Sequence, residues 1–262
     1  MTIAYTLTCR HIANHLLARG WPEDLDVYTH LSYGQGDGIA FYGRLSMADL
    51  NRLLPAVQER GHLKKAEVET FSQQARDSEF TVHLTKNSLA GYCAHAGTID
   101  LNYENEPEGL NEDTIRTLMN GLREEINEVC AELKKSGYKI QEAVWPIGNP
   151  TVITRKTRNF EVIVMEIEPS EDNSYGWDHE QQDLIIDSIL STGASYRMLD
   201  VLIVSTKTSQ VLGRGYIDHV LRLPGEPTHK WFDRGALKHA THEARVNIRQ
   251  LLNAFASFQQ VV

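Results

Sequence analysis

The apolar positions along the chain follow two periods, one of two residues and one of about 3.6 residues, which predicts a mixture of strands and helices. The clearest helical stripe covers residues 112–136, where apolar side chains recur at helical spacing, and Gly137 follows as a predicted C-cap. We interpret this stripe as core. The other predicted helices are residues 8–19, a helix that begins after the capping-box residues Ser46 and Asp49 and is disturbed at Pro55, a short helix or loop within 61–78, and residues 178–191 and 234–258.

Strand-like segments with alternating apolar and polar residues occur throughout both halves of the chain. They cover residues 27–33, 39–42, 80–86, 92–103, 139–144, 151–154, 160–167, 196–207 and 210–223. Two prolines and a glycine interrupt the pattern within residues 145–150. The prediction is therefore an α+β protein of two small domains, residues 1–146 and 151–262, each an antiparallel sheet with helices packed on one face.

Residues 33–41, Tyr-Gly-Gln-Gly-Asp-Gly-Ile-Ala-Phe, join two of the predicted strands through alternating glycines. This pattern predicts a tight hairpin with a bulged turn. Two interpretations follow. Either Tyr33, Gln35 and Asp37 form a binding site on backbone that a partner can approach closely, or the glycines serve only the turn. No Gly-Lys-Ser/Thr follows and a strand rather than a helix comes next, which excludes a phosphate loop and a dinucleotide-binding turn.

The chain of 262 residues has a formal net charge of −9, and its acidic residues are clustered. Residues 87–111 and 159–196 contain no lysine or arginine. Such surfaces suit a basic partner and argue against direct binding of nucleic acid. The predicted binding residues are Tyr33, Gln35, Asp37, Glu104, Glu106, Glu108, Glu171 and Asp172. No apolar run reaches the length of a membrane span and no signal peptide is evident, so we expect a cytoplasmic protein without membrane contact.

Histidines at helical spacing are the only candidates for metal ligands. His11 and His15 share a helix face, but no third ligand is evident. His239, His242 and Glu243, with His219 on the preceding strand, have the residue types of a zinc site, yet the spacing His-x-x-His-Glu matches neither helical zinc pattern. No nucleophile motif is present. We therefore predict no catalytic residue, no metal and no cofactor.

Residues 32–43 match the spacing Ser-x-x-Gln-Gly-Asp-Gly-x-x-Phe-x-Gly. This hairpin resembles a signature of uncharacterised accessory proteins of phages and prophages, sometimes labelled antitoxin-like. Residues 91–95, the acidic segment after them and the 112–136 helix follow in the same order as in that family. Residues 211–213, 231–233 and 242–245 are similar to a second phage module. The resemblance implies a dispensable protein of a mobile element, and it brings no catalytic residue with it.

These observations lead to one functional hypothesis and two alternatives. The hypothesis is a non-enzymatic phage or mobile-element protein in the cytoplasm of a bacterial host. It binds and inhibits a host protein or nucleoprotein complex with a basic surface, such as a restriction or CRISPR defence system. The first alternative is an antitoxin-like regulatory binding module. The second is a metal-dependent enzyme that uses the His239, His242 and Glu243 cluster.

Overall fold

The computed structural model describes residues 2–76, 78–91, 93–169 and 178–259. Its helices and strands, in chain order, are α1 Ile3–Ala18, β1 Asp26–His30, β2 Gly38–Leu45, α2 Met47–Glu59, α3 Lys65–Gln74, β3 Thr81–Lys86, β4 Ile99–Glu104, α4 Glu112–Val144, β5 Thr151–Lys156, β6 Phe160–Ile167, α5 His179–Thr192, β7 Ser195–Ser205, β8 Val211–Arg222 and α6 Arg234–Gln259. The strands form two four-stranded antiparallel sheets, β1-β2-β3-β4 and β5-β6-β7-β8. The predicted α+β class with two sheet-based units is confirmed.

The chain divides into two compact units, residues 8–138 and residues 1–7 together with 139–262, which we call the first and second unit. In the first unit each strand pairs with the next one along the chain, and β1 pairs with β2 from Asp26–Tyr42 to His30–Gly38. The predicted stripe of α4 is core, as expected. It buries Ile115, Leu118, Leu122, Ile126, Val129, Cys130 and Leu133 against the sheet and the other helices of this unit.

Three elements of the first half of the chain differ from the prediction. The first helix begins at Ile3 rather than at residue 8. The capping box of Ser46 and Asp49 is confirmed, and α2 continues through Pro55 to Glu59. The strand predicted over 92–103 begins only at Ile99, because the preceding residues 96–98 form a 3₁₀ turn.

The long helix α4 does not end at Gly137, and residues 139–144, predicted as a strand, are helical. The reason is packing. A Cβ atom on Gly137 would come within 2.8 Å of Leu31 Cδ1 and 3.5 Å of Ile39 Cδ1. The absence of a side chain at Gly137 leaves room for the hairpin side chains Leu31 and Ile39 to lie close to the helix, and this glycine is not a cap.

The second unit agrees closely with the predicted elements. Its four strands form a meander, and the hairpin of β7 and β8 has the predicted position. Asp178 is the N-cap of α5. The helix ends at Gly193, whose backbone has the left-handed conformation. Helix α6 packs its alanines Ala236, Ala240 and Ala244 into the core formed with β6, β7 and β8.

None of the helices in the described part of the chain combines the length and the apolar character that crossing a bilayer requires.

Candidate functional site

The loop between β1 and β2, residues 31–37, contains the polar residues that the sequence singles out. The predicted hairpin is present, but Gly38 already belongs to β2 and pairs with His30. Asp37 is buried, whereas Tyr33 and Gln35 are exposed. We refer to residues 31–37 as the hairpin loop. Its inner and outer sides have different chemistry.

The carboxylate of Asp37 organises the inner side of the hairpin loop. It accepts hydrogen bonds from the Ser32 backbone N–H at 2.9 Å, from the Ser32 hydroxyl at 2.8 Å and from the Gly34 backbone N–H at 2.8 Å. The Tyr138 hydroxyl on α4 donates a further hydrogen bond to the same carboxylate. Four donors from the loop and the helix thus converge on one buried acid, which ties the loop to itself and to α4.

Burial by itself would raise the pKa of Asp37, because it disfavours the charged form. The hydrogen bonds from Tyr138, Ser32 and Gly34 outweigh that effect and lower the pKa of Asp37 to about 2. Burial, together with the bond to Asp37, raises the pKa of Tyr138. The pair is therefore a carboxylate and a neutral phenol at neutral pH. It positions the loop and has no proton to transfer in that range.

The outer side of the hairpin loop presents Tyr33. Its side chain is 63% exposed, yet its ring stacks on the Tyr138 ring with centroids 4.3 Å apart. Its backbone N–H donates to the Tyr138 hydroxyl at 3.2 Å, and its φ of 58° lies in the left-handed region, which is uncommon for a residue with a large side chain. An exposed aromatic ring in a strained and well-supported conformation is a recognised feature of binding sites.

A second segment, residues 93–95, packs against the glycines of the hairpin. The Ala94 N–H donates to the Gly36 carbonyl at 3.1 Å. A Cβ atom on Gly38 would lie 2.0 Å from the Ala94 carbonyl oxygen. Gly38 therefore permits the approach of another backbone segment of the same unit. The sequence predicts only a turn or a binding site for these glycines. The amine of Lys134 on α4 also donates to the Asp37 carbonyl at 2.8 Å.

We expect the ionisation of Asp37 to make the stability of the first unit depend on pH in acid. Because its folded pKa of about 2 is below the 3.8 of an unperturbed aspartate, its contribution is present above pH 3.8 and disappears as the pH falls through about 2. The contribution is about 2 kcal/mol. In urea unfolding, Asp37→Asn should be less stable than the wild type at neutral pH, and the gap should shrink towards pH 2. The exposed Asp26 provides the control, because Asp26→Asn should differ little from the wild type at any pH. A constant gap for Asp37→Asn would contradict this role.

The structure does not bring the acidic candidate Glu104 to the hairpin loop. Glu104 lies at the end of β4, where it pairs with Thr81, at the opposite end of the sheet from the His30–Gly38 pair. Its carboxylate accepts a hydrogen bond from the Arg44 guanidinium at 3.1 Å, and a ring nitrogen of His83 lies 3.0 Å from the same carboxylate. Glu106 and Glu108 are exposed in the loop that follows. The remaining two candidates, Glu171 and Asp172, lie outside the described residues.

The histidine candidates His11 and His15 contact side chains of α4. His11 bonds to the Ser136 hydroxyl at 2.7 Å, and His15 lies 3.3 Å from a carboxylate oxygen of Glu132. No group of three or more histidine, cysteine or acidic side chains within the described ranges is arranged to hold a metal ion.

In the second unit, Glu243 accepts the Arg214 backbone N–H at 2.7 Å, and a ring nitrogen of His239 lies 3.1 Å from the Arg214 carbonyl oxygen. These two side chains of α6 therefore contact the backbone of β8. His219 contacts the Tyr196 hydroxyl at 2.5 Å.

Sequence reasoning missed a buried charge cluster in the first unit. Glu125 on α4 is fully buried and binds two arginines. Arg19 donates to it at 3.0 Å, and Arg60 contacts both of its oxygens at 2.8 Å. Arg19 also pairs with Glu128 and Glu132, one and two turns further along α4. The only signal in the sequence is the spacing of these acids, which is equally typical of a solvated helix face.

One comparison with known protein families bears on the second half of the chain. Residues 150–258 match the model of a family described as the C-terminal domain of YubG. This segment contains the second sheet together with α5 and α6. No solved structure matches the chain. The second half is therefore similar to a domain that is already recognised as a family.

Proposed function

We propose that this protein is a non-enzymatic binding protein that uses the hairpin loop, residues 31–37, to bind and inhibit a protein complex of a bacterial host. The observation that supports the proposal best is the exposed Tyr33 ring, held by stacking on Tyr138 over the buried Asp37. Tyrosine is enriched among the residues that dominate binding energy, and a loop that is ordered before binding loses little entropy on association.

The chemistry of the site favours binding over catalysis. The described groups around Asp37 are already engaged with one another, and its low pKa makes it a poor general base at neutral pH. Gln35 beside Tyr33 adds an amide that both donates and accepts hydrogen bonds. A ring and an amide on one rigid loop form a small contact surface of the kind that inserts into a groove of a partner protein.

The class of partner follows from charge and from the resemblance of residues 32–43. A net charge of −9 favours association with a basic surface, such as the nucleic-acid groove of a defence complex. The hairpin signature resembles phage and prophage accessory proteins, for which a restriction or CRISPR complex of the host is a natural target. We therefore propose that the protein acts in the cytoplasm of the bacterial host.

The test is phage plating on bacteria that have a single active restriction or CRISPR system and express the full-length protein. We expect the protein to raise plating efficiency against at least one such system, and Tyr33→Ala to weaken binding to that complex about 30-fold, which corresponds to about 2 kcal/mol. Binding of the purified protein to the purified complex gives the second measurement.

Tyr216→Ala is the matched control, because Tyr216 is a similarly exposed tyrosine on β8 of the second unit. It should leave plating efficiency and binding unchanged. Wild-type plating efficiency and binding of Tyr33→Ala would show that the hairpin loop is not the binding surface. A wild-type protein that protects phage against none of the systems would exclude the proposed class of partner.

A further inference from the structure

A shallow groove of about 260 Å³ lies between α3 and the first turns of α4 in the first unit. Its lining is largely apolar and includes Leu63, Val68, Phe71 and Leu118. The two charged residues in the described lining are Glu67 and Asp113, both acidic. Each has a basic neighbour, Lys64 and Arg116, but these are exposed pairs on one helix and contribute little. The groove therefore suits an apolar side chain that is accompanied by positive charge.

Exposed apolar side chains close to positive charges are present on the same chain, at the end of α6. Every residue from Arg249 to Ala256 is exposed, although the segment continues the stripe that packs Ala240 and Ala244 into the core. Leu252 is 63% exposed and Phe255 is 67% exposed. Two helical turns with large apolar side chains in water are typical of a helix that has a partner.

The charge of this helix end is opposite to that of the groove and of the whole chain. From Ala244 to Gln259 there are two arginines and no acidic residue, whereas the chain has a net charge of −9. Arg245, Arg249 and Leu252 are spaced i, i+4 and i+7, so that they share one side of the helix. The exposed leucine thus lies one and two helical turns beyond the two positive charges, on the same side of the helix.

We propose that the end of α6, residues 249–256, of one copy of this chain docks into the α3–α4 groove of a second copy. Leu252 or Phe255 fills the groove, whose volume suits one or two large side chains, and Arg249 lies beside Glu67 or Asp113. This is the binding mode in which an amphipathic helix places its apolar face in a groove. If both copies exchange their helices, the two equivalent contacts close a twofold dimer.

The test measures the mass of the full-length protein by analytical ultracentrifugation over a concentration series. The wild type should shift from monomer towards dimer as its concentration rises. Two variants should stay monomeric at all concentrations: the double variant Leu252→Glu with Phe255→Glu, and Ala66→Arg, which places a cation at an exposed position of the groove lining. Leu184→Glu is the control, because Leu184 is an equally exposed leucine on α5, and it should associate as the wild type does.

Mixing the two monomeric variants separates this contact from others. The helix end of Ala66→Arg is intact, and so is the groove of the double variant, so one complementary contact remains and a mixed dimer should form at raised concentration. If two α6 helices instead paired with each other, mixing would not restore a dimer. Absence of a mixed dimer would therefore overturn the proposal. A wild-type protein that stays monomeric throughout would overturn it as well, as would a dimer that Ala66→Arg leaves intact.

Discussion

Replacing Glu125 with alanine is expected to destabilise the first unit by about 3–5 kcal/mol, which is a large part of the stability of a small domain. The carboxylate of Glu125 is fully buried and compensates the guanidinium groups of Arg19 and Arg60. Without it, Arg60 loses the carboxylate that pairs with it in a largely buried site, and Arg19 keeps only the more exposed Glu128 and Glu132. Because Arg19 directly follows α1 and Arg60 is the C-cap of α2, the loss also weakens the attachment of two helix ends to α4.

The measurement is urea unfolding followed by the fluorescence of Trp21, which is buried in the core of the first unit, in a background in which the other tryptophans are replaced by phenylalanine. A local probe is needed because a protein of two units need not unfold in one step. The matched control is Glu124→Ala, since this neighbouring side chain is largely exposed and its ion pair with His62 is long, at 3.7 Å. It should change stability by less than about 0.5 kcal/mol.

A compensating variant tests the mechanism itself. Changing Glu125 to leucine together with Arg19 and Arg60 to methionine removes the buried positive charges along with the carboxylate and keeps apolar volume, so it should recover most of the lost stability. If the single change Glu125→Ala costs no more than Glu124→Ala, the cluster has no structural role. If the triple variant is as unstable as the single one, loss of packing rather than unpaired charge causes the effect.

The charge cluster also shows why part of the first unit was not predictable. Glu125, Glu128 and Glu132 are spaced as on an ordinary polar helix face, and their partner Arg19 is more than one hundred residues away in the sequence. Only the tertiary fold distinguishes a buried carboxylate from a solvated one. The hairpin loop was predictable for the opposite reason, since its turn residues and its flanking strands are neighbours in sequence.

The elements of the fold were predictable wherever local pattern and tertiary packing agree, as in β7, β8 and α5. They were mispredicted where a glycine serves packing. Gly137 has the position of a helix cap, yet α4 continues past it to Val144. The apolar stripe of α6 likewise contains no sign that Ala244 is buried and Phe255 exposed, because periodicity defines a face but not what covers it.

Gly213 on β8 is the second position at which a small change should have a large effect. A Cβ atom there would lie 2.1 Å from the Ala240 carbonyl oxygen and 2.6 Å from the Ala244 nitrogen, both in the backbone of α6. Backbone atoms of a helix have no alternative rotamer, so the helix must move away from the sheet. We expect Gly213→Ala to destabilise the packing of α6 on β8 by about 3 kcal/mol.

Hydrogen exchange measured by mass spectrometry locates this effect. In Gly213→Ala, amides in the first half of α6 should exchange roughly a hundredfold faster than in the wild type, because each 1.4 kcal/mol of lost opening free energy is a factor of ten. Peptides from β1 to β4 should exchange as before. The control is Val211→Ala on the same strand, where the side chain is partly exposed and the change removes volume without forcing the helix outwards. Unchanged protection of α6 in Gly213→Ala would mean that the helix adjusts to the added methyl group, and that the glycine is not what permits the close contact between α6 and β8.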